Sequence, residues 1–427
     1  MNIQKILSAL ILVFFLASCQ SSSFHDEQET KQVTPDIALS TTEPPLSTTT
    51  ASLTPHTNQQ PLNRQCLTTT SPEKSNLKGI LVLSDKLNSS GYFLLDLDNM
   101  EQKEFMKGRR PIWDLIISPN RQLVYYADCS GDSCVNIVAK LAGELKELPY
   151  SEEWLSTAWL DNEHLIFAHT SEIPDDTVRI FNLSSNEDSD ISLNFPNPYY
   201  YLHPSGKNIL ITSLNPDLTR AVFFDTYEQG RIILWDIKTN TMLASLPYLV
   251  SKDATEPMPA PPFFSGWSPN GAQFITTSPL SISASTGKIT AEEIFSISYD
   301  GQITQLTRLS DIYNNVRISE PAWSPDGKFI AFWLQVSDDI NQSTDNIPQK
   351  LVVLDSITGE ITDLCLSHGP PLYSAVRKPI WTSDGKHLIV ETRLQEGFSQ
   401  TSLVDLDENS LSILSDGLFP LGLVTSP

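Results

Sequence analysis

The chain is short of positive charge. Its 28 Lys and Arg face 51 Asp and Glu, a formal net charge of −23. Phosphate binding is driven by clustered Lys and Arg, so this balance argues against a nucleic-acid binder. Long apolar runs are also scarce. Only Ile6 to Leu16 comes near the length of a membrane segment, which excludes a multi-span membrane protein. Cysteines number five and histidines seven, with no Cys-x-x-Cys, no His-Glu-x-x-His and no Gly-x-Ser-x-Gly. Zinc chemistry and a serine-hydrolase elbow therefore have no motif to rest on, and no metal or cofactor is expected. The chain is nevertheless 40% hydrophobic over 427 residues. It can bury a sizeable core, so disorder throughout is excluded.

Residues 1–18 carry one positive charge, Lys5, and then an apolar run too short to span a membrane comfortably. This is the layout of a signal peptide. The run ends in Leu16-Ala17-Ser18-Cys19, which resembles the lipobox of bacterial lipoproteins. The resemblance implies cleavage before Cys19, a thioether from its thiol to a diacylglyceryl group and acylation of its amine, palmitate included. Several acyl chains together anchor a protein stably. It also implies export to the outer face of a membrane, with the cytoplasmic and outer membranes both left open. Residues 19–75 follow as a spacer. Positions 20–75 hold eight Ser, twelve Thr and six Pro without apolar periodicity. Such a segment cannot bury enough surface to offset its ordering entropy, so disorder is expected. Residues 20–62 alone would reach roughly 35–40 Å as a random coil.

From residue 76 onward a repeat dominates. An apolar or Trp residue leads into Ser-Pro-Asp-Gly or a variant, and then into an apolar strand. The copies are IISPNRQLVYYA at 116–127, AWLDNEHLIFA at 158–168, YLHPSGKNILIT at 201–212, GWSPNGAQFITT at 266–277, AWSPDGKFIAFW at 322–333 and IWTSDGKHLIVE at 380–391. Pro-Asp-Gly between apolar runs is tight-turn chemistry, so each copy reads as a hairpin. A second hairpin follows each first one, for example IILWDIKTNTMLASL at 232–246 and LVVLDSITGEITDL at 351–364. Two hairpins make a four-stranded propeller blade. There are seven second hairpins and six complete first ones. KGILVL at 78–83 lacks a preceding strand, and GLVTSP at 422–427 lacks a following one. If the two ends pair, they complete a seventh blade and leave no open edge. The expectation is an all-β, seven-bladed β-propeller over 76–427, its first blade closed by the C-terminal strand. Six blades with a stray N-terminal hairpin is the alternative.

These repeats resemble the WD40-like, TolB-type propeller repeat over about 350 residues. That resemblance is specific for fold. TolB has an α/β domain before its propeller, whereas only the Ser/Thr/Pro spacer precedes this one.

With Cys19 assigned to lipid, four cysteines remain. Cys129 and Cys134 flank Ser-Gly-Asp-Ser, a short loop that a disulfide would bridge easily. Cys66 and Cys365 form the other expected disulfide, pinning the end of the spacer to the propeller; free thiols are the alternative. Trp159, Trp267, Trp323 and Trp381 recur once per blade and read as packing between blades.

In a propeller, the turns from first to second and third to fourth strand share one face. The remaining loops and blade connections share the other. The first set is short here. The second is elaborated at 214–229, 249–264, 278–292 and 335–349. Long loops on one side of a scaffold are where binding sits. The residues expected to be exposed there are Arg220, Phe223, Phe224, Tyr227, Phe263 and Phe264, a composition typical of interface hot spots. The same aromatics could equally anchor the loops from beneath. The functional expectation is a lipid-anchored envelope module, monomeric, that binds a protein or glycan without catalysis. The alternative is a hydrolase or lyase with residues gathered at the central channel.

Overall fold

The computed structural model describes residues 62–70, 77–85, 91–105, 115–118, 120–128, 135–141, 145–148, 156–159, 162–168, 177–192, 210–215, 217, 219–225, 230–249, 266–283, 289–339, 347–368, 377–393 and 399–424. All belong to the unit Ala51–Pro427. Cys19, Cys129, Cys134, Tyr227, Phe263 and Phe264 lie outside the described residues.

The strands form seven sheets, each a four-stranded antiparallel blade, with a short parallel strand added to the outer edge of blades 6 and 7. Blade 1 holds Ile80–Ser84, Tyr92–Asp96 and Glu101–Phe105, and its first strand is the C-terminal Phe419–Val424. Blade 2 holds Ile116–Ile117, Leu123–Asp128, Val135–Lys140 and Leu145–Glu147. Blade 3 holds Ser156–Trp159, His164–Ala168, Thr177–Asn182 and Glu187–Ser192. Blade 4 holds Leu210–Leu214, Arg220–Asp225, Arg231–Asp236 and Thr241–Pro247. Blade 5 holds Gly266–Trp267, Gln273–Ile282, Ile289–Ser298 and Ile303–Gln305. Blade 6 holds Asn315–Trp323, Phe329–Ser337, Gln349–Asp355 and Ile361–His368. Blade 7 holds Ile380–Trp381, His387–Arg393, Ser399–Asp405 and Ser410–Asp416. Ile80–Ser84 pairs with Phe419–Val424 from Ile80 opposite Val424 to Ser84 opposite Phe419. Seven blades, not six, close the ring.

The patterning follows from blades packing face to face. A middle strand is covered on both sides, so Arg231–Asp236 (RIILWD) is buried from Ile232 onward. An outermost strand meets water, so Glu101–Phe105 (EQKEF) is mostly exposed. The core accordingly lies between blades. Val222 and Leu234 of blade 4 meet Phe274 and Ile297 of blade 5. Ile275 and Ile294 meet Val316 and Phe332 of blade 6. Trp333 and Leu351 meet Leu388 and Val404 of blade 7. Leu403 of blade 7 then meets Leu81 and Leu83 of blade 1. Trp159 and Trp381 also donate Nε1–H to Ile116 O and Ala322 O of the preceding blade, both at 3.0 Å.

The first turns of blades 2, 4, 5, 6 and 7 are closed by their own side chains. In blade 6, Ser324 Oγ donates to Asp326 Oδ1 at 2.6 Å and accepts from Phe329 N at 2.9 Å. Gly327 supplies the left-handed step, with φ 71°. In blade 2 that step falls on Arg121, φ 59°, whose Nη2 reaches Trp381 O of blade 7 at 2.9 Å. The arginine thereby spans blade 1, where the two strands come from opposite chain ends and no such turn joins them.

Blade 4 corrects the sequence reading. Its first hairpin is Leu210–Leu214 with Arg220–Asp225, not 201–212. The turn is Asn215-Pro216-Asp217-Leu218-Thr219. Asn215 takes the serine's part, accepting from Thr219 N at 3.0 Å and Arg220 N at 2.7 Å. His203-Pro204-Ser205-Gly206-Lys207 imitates the motif, and it draws the reading one strand too early.

Candidate functional site

The corrected register moves the expected binding residues. Arg220 opens the second strand of blade 4 on the short-turn face, opposite the long loops, and is only 11% exposed. Its Nη1 pairs with Asp236 Oδ2 at 2.8 Å. Its Nε donates to Tyr299 O at 3.0 Å, and its guanidinium lies 3.9 Å from the Tyr299 ring centre. It ties blade 4 to blade 5 and is not a free anchor. Phe223 and Phe224 belong to the second strand of the blade, opposite Ile233 and Ile232 on one side and Ile211 and Leu210 on the other. They are not loop residues. The segment 214–229 thus contains a turn and a strand that the blade needs.

Arg220 also explains two histidines. The first residue of a second strand repeatedly faces a polar residue at the end of the third. Arg220 meets Asp236, His164 meets Asn182 at 2.9 Å, and His387 Nε2 meets Asp405 at 3.3 Å. His387 Nδ1 is held by Asp384 at 3.0 Å as well. These histidines bind turns together. Among the described residues, no group of three or more His, Cys, Asp or Glu is placed to hold a metal ion.

The long-loop face is organised differently. Blade 5 raises a long hairpin from its ten-residue strands Gln273–Ile282 and Ile289–Ser298. Leu280 on that hairpin, Leu249 after blade 4 and Ile312 after blade 5 are large exposed apolar side chains on this face. Beneath them the third strand of blade 5 carries adjacent carboxylates. Glu293 is buried and accepts from Thr307 Oγ1 at 2.6 Å and Ser310 N at 2.7 Å. It therefore fixes the connection into blade 6. Glu292 accepts from Ile318 N at 3.0 Å. Burial holds the Glu292 carboxyl above its ordinary range, against the pull of Arg317 and its hydrogen bonds.

A second charged group spans blades 6 and 7, with Glu320 at the bulge inside the first strand of blade 6 and Lys378 just before the first strand of blade 7. Glu320 and Lys378 occupy the same position in Ser-Glu-Pro-Ala-Trp (319–323) and Arg-Lys-Pro-Ile-Trp (377–381), so neighbouring blades set opposite charges side by side. Burial raises the Glu320 carboxyl, opposed by Lys378 and Arg377. Burial lowers the Lys378 amine, opposed by Glu320. The Lys378 side chain still reaches solvent, although protein surrounds it closely enough to disfavour its charge. Glu320 has φ 53° within a bulge, a conformation that costs a non-glycine residue energy and gathers at functional positions. Arg377 stacks 4.4 Å from the Phe419 ring centre, and its carbonyl accepts from Trp333 Nε1 at 2.8 Å. The repeated X-Pro-x-Trp was the signal in the sequence that could have found this pair.

Nearby, Ser399 Oγ donates to Glu391 Oε1 at 2.7 Å, and His368 Nε2 lies 4.0 Å from the same oxygen. Here the carboxylate stands between serine and histidine, where a catalytic triad would need the histidine. His368 and Glu391 are fully buried, so a substrate does not reach them.

The raised Glu292 gives a signed expectation. An acid whose folded value exceeds its unfolded one favours folding when protonated. Its cost is absent below the unfolded value near 4.3 and grows as pH rises toward the folded value. Glu292→Gln is expected to be more stable than wild type at pH 8 and equal to it near pH 4, in thermal unfolding across that range. A variant less stable at pH 8 would mean that pairing with Arg317 outweighs burial.

The seven sheets form a β-propeller. Solved structures it resembles include TolB from Acinetobacter baumannii, at 16% identity over 79% of this chain and 78% of that one, TM-score 0.39. The β-propeller domain of the Trilobed protease from Pyrococcus furiosus is 12% identical over 80% and 93%, TM-score 0.48. Oligogalacturonate lyase from Vibrio parahaemolyticus is 10% identical over 80% and 87%, TM-score 0.48. No family model and no curated protein matches the chain. At such identities the likeness concerns the fold alone.

Proposed function

We propose that this protein is a lipid-anchored cell-envelope module that binds a protein or glycan through its long-loop face, without catalysing a reaction. One observation carries this reading: the two faces of the ring differ. The short-turn face is closed by turns whose polar groups bond to one another, as at Ser324, Asp326 and Phe329. The long-loop face offers exposed Leu249, Leu280 and Ile312, and the Glu320–Lys378 pair links blades 6 and 7. Apolar contact with a few placed charges is the composition of a recognition surface. The anchoring cysteine is Cys19, and the acidic ring is repelled by anionic head groups, so the lipid supplies attachment.

The reading is tested by cross-linked capture from membranes with wild type, Leu280→Asp and Ile312→Asp, two exposed positions on this face. Both variants are expected to lose at least tenfold of the captured partner while unfolding within about 1 kcal/mol of wild type, as surface changes do. Capture undiminished in both variants would remove this face as the binding surface.

A further inference from the structure

Residues 62–70 fall in the segment expected to be a disordered spacer, yet they lie on the ring as a strap. Asn63–Arg64 adds a parallel strand to the outer edge of blade 6, with Asn63 opposite Thr362 and Arg64 opposite Asp363. Thr68–Thr69 does the same on blade 7, opposite Ser410 and Leu411. Gln65 N and Leu67 N donate to Asp363 O at 2.9 Å and Leu364 O at 3.3 Å. Thr68 N and Thr70 N donate to Asn409 O at 2.9 Å and Leu411 O at 2.8 Å. Leu62 packs into the core between blades 5 and 6, and Leu67 into that between blades 6 and 7. Asp363, itself buried, faces Arg64 at 3.9 Å and Lys350 at 3.5 Å.

Cys66 and Cys365 join the strap to blade 6 by a disulfide. Cys365 sits in a bulge of the outer strand, between the pairs Lys350–Ser367 and Val352–Asp363, with φ 57°. A left-handed cysteine is unfavourable on its own, and bulges serve to re-aim a side chain. The blade thus departs from regular pairing at the residue that holds the strap.

Downstream of the strap the chain enters blade 1 as Ile80–Ser84. That strand bonds the C-terminal Phe419–Val424. One run of chain, 62–84, therefore touches blades 6, 7 and 1, the same arc that the C-terminal strand completes from inside. We infer that the strap and its disulfide are a second closure of the ring, coupled to the pairing of the two chain ends in blade 1. When blade 1 opens, its N-terminal strand stays leashed to blade 6 through Cys66. It cannot diffuse away with a free tail, and a short leash keeps it at high effective concentration for reclosing. Reduction of the bond lengthens that leash and loosens blade 1 as well as the strap.

Amide hydrogen exchange on the full chain tests this, comparing the oxidised protein with protein reduced by tris(carboxyethyl)phosphine and with Cys66→Ser/Cys365→Ser. In the reduction the S–S bond takes two electrons from the phosphine and two protons from water, and the water oxygen leaves as phosphine oxide. Exchange at 80–84 and 419–424 is expected to rise at least tenfold together with that at 62–70, while 231–236 in blade 4 stays within twofold. A rise confined to 62–70 would make the strap a local staple and overturn the inference. An equal rise at 231–236 would overturn it too. Should the double variant fail to fold, the reduced wild type supplies the same comparison.

Discussion

Truncation after Leu418 is expected to abolish cooperative folding. It removes the strand Phe419–Val424, and with it every backbone bond that joins the two chain ends in blade 1. Phe419, Leu423 and Val424 are almost fully buried. At ~1.5–3 kcal/mol for each large apolar side chain, the lost burial is about 5–9 kcal/mol. A domain's whole stability is only about 5–15 kcal/mol. The cut also bares the edge of Ile80–Ser84 and the apolar faces of blades 2 and 7, which invites aggregation. Arg121 would be left to bridge the opening. Chemical denaturation of the truncated chain should show a broad transition or none. A sharp transition within about 1 kcal/mol of wild type would mean that the ring does not depend on this strand.

Loss of the Cys66–Cys365 bond is expected to have the next largest effect. The cross-link closes a loop with a sequence separation of 299 residues, and chain-entropy reasoning gives an upper value of about 5–6 kcal/mol for a loop of that length. Cys66→Ser/Cys365→Ser should therefore unfold at a markedly lower denaturant concentration than the oxidised wild type. The replacement at 365 matters, because that residue has φ 57°. Asparagine tolerates the left-handed region better than serine. Cys66→Ser/Cys365→Asn should recover a fraction of the loss, on the order of 0.5–1 kcal/mol. A double variant as stable as the oxidised protein would show that the denatured chain is already held compact without the bond.

How much of this was legible beforehand differs by element. The blades were, because Ser-Pro-Asp-Gly turns write their geometry into four residues and because KGILVL and GLVTSP are each half of one hairpin. Blade 4 was misread because Asn215 does a serine's work and its turn lacks glycine, while His203–Lys207 imitates the motif. The strap was legible only at its disulfide, where Cys66 was expected to pin the end of the spacer to Cys365. Its two short ladders bond through backbone, and Ser/Thr-rich sequence carries no periodicity to announce them. Arg220 was misplaced for the same reason as blade 4: one strand of register exchanges the faces of the ring. The Glu320–Lys378 pair depends on two blades becoming neighbours, which local patterning does not report, although aligning the copies at X-Pro-x-Trp brings the two residues to one position.

The central claim is that one face of this ring is the recognition surface. It is tested most directly by placing a photo-reactive amino acid at single positions in the full chain and irradiating cells. Leu280 and Ile312 sample the long-loop face, and Ile357, 70% exposed in a turn of blade 6, samples the other. Discrete adducts from positions 280 and 312, with none from 357, are the predicted result. Adducts from 357 alone would place the surface on the closed-turn face and contradict the account.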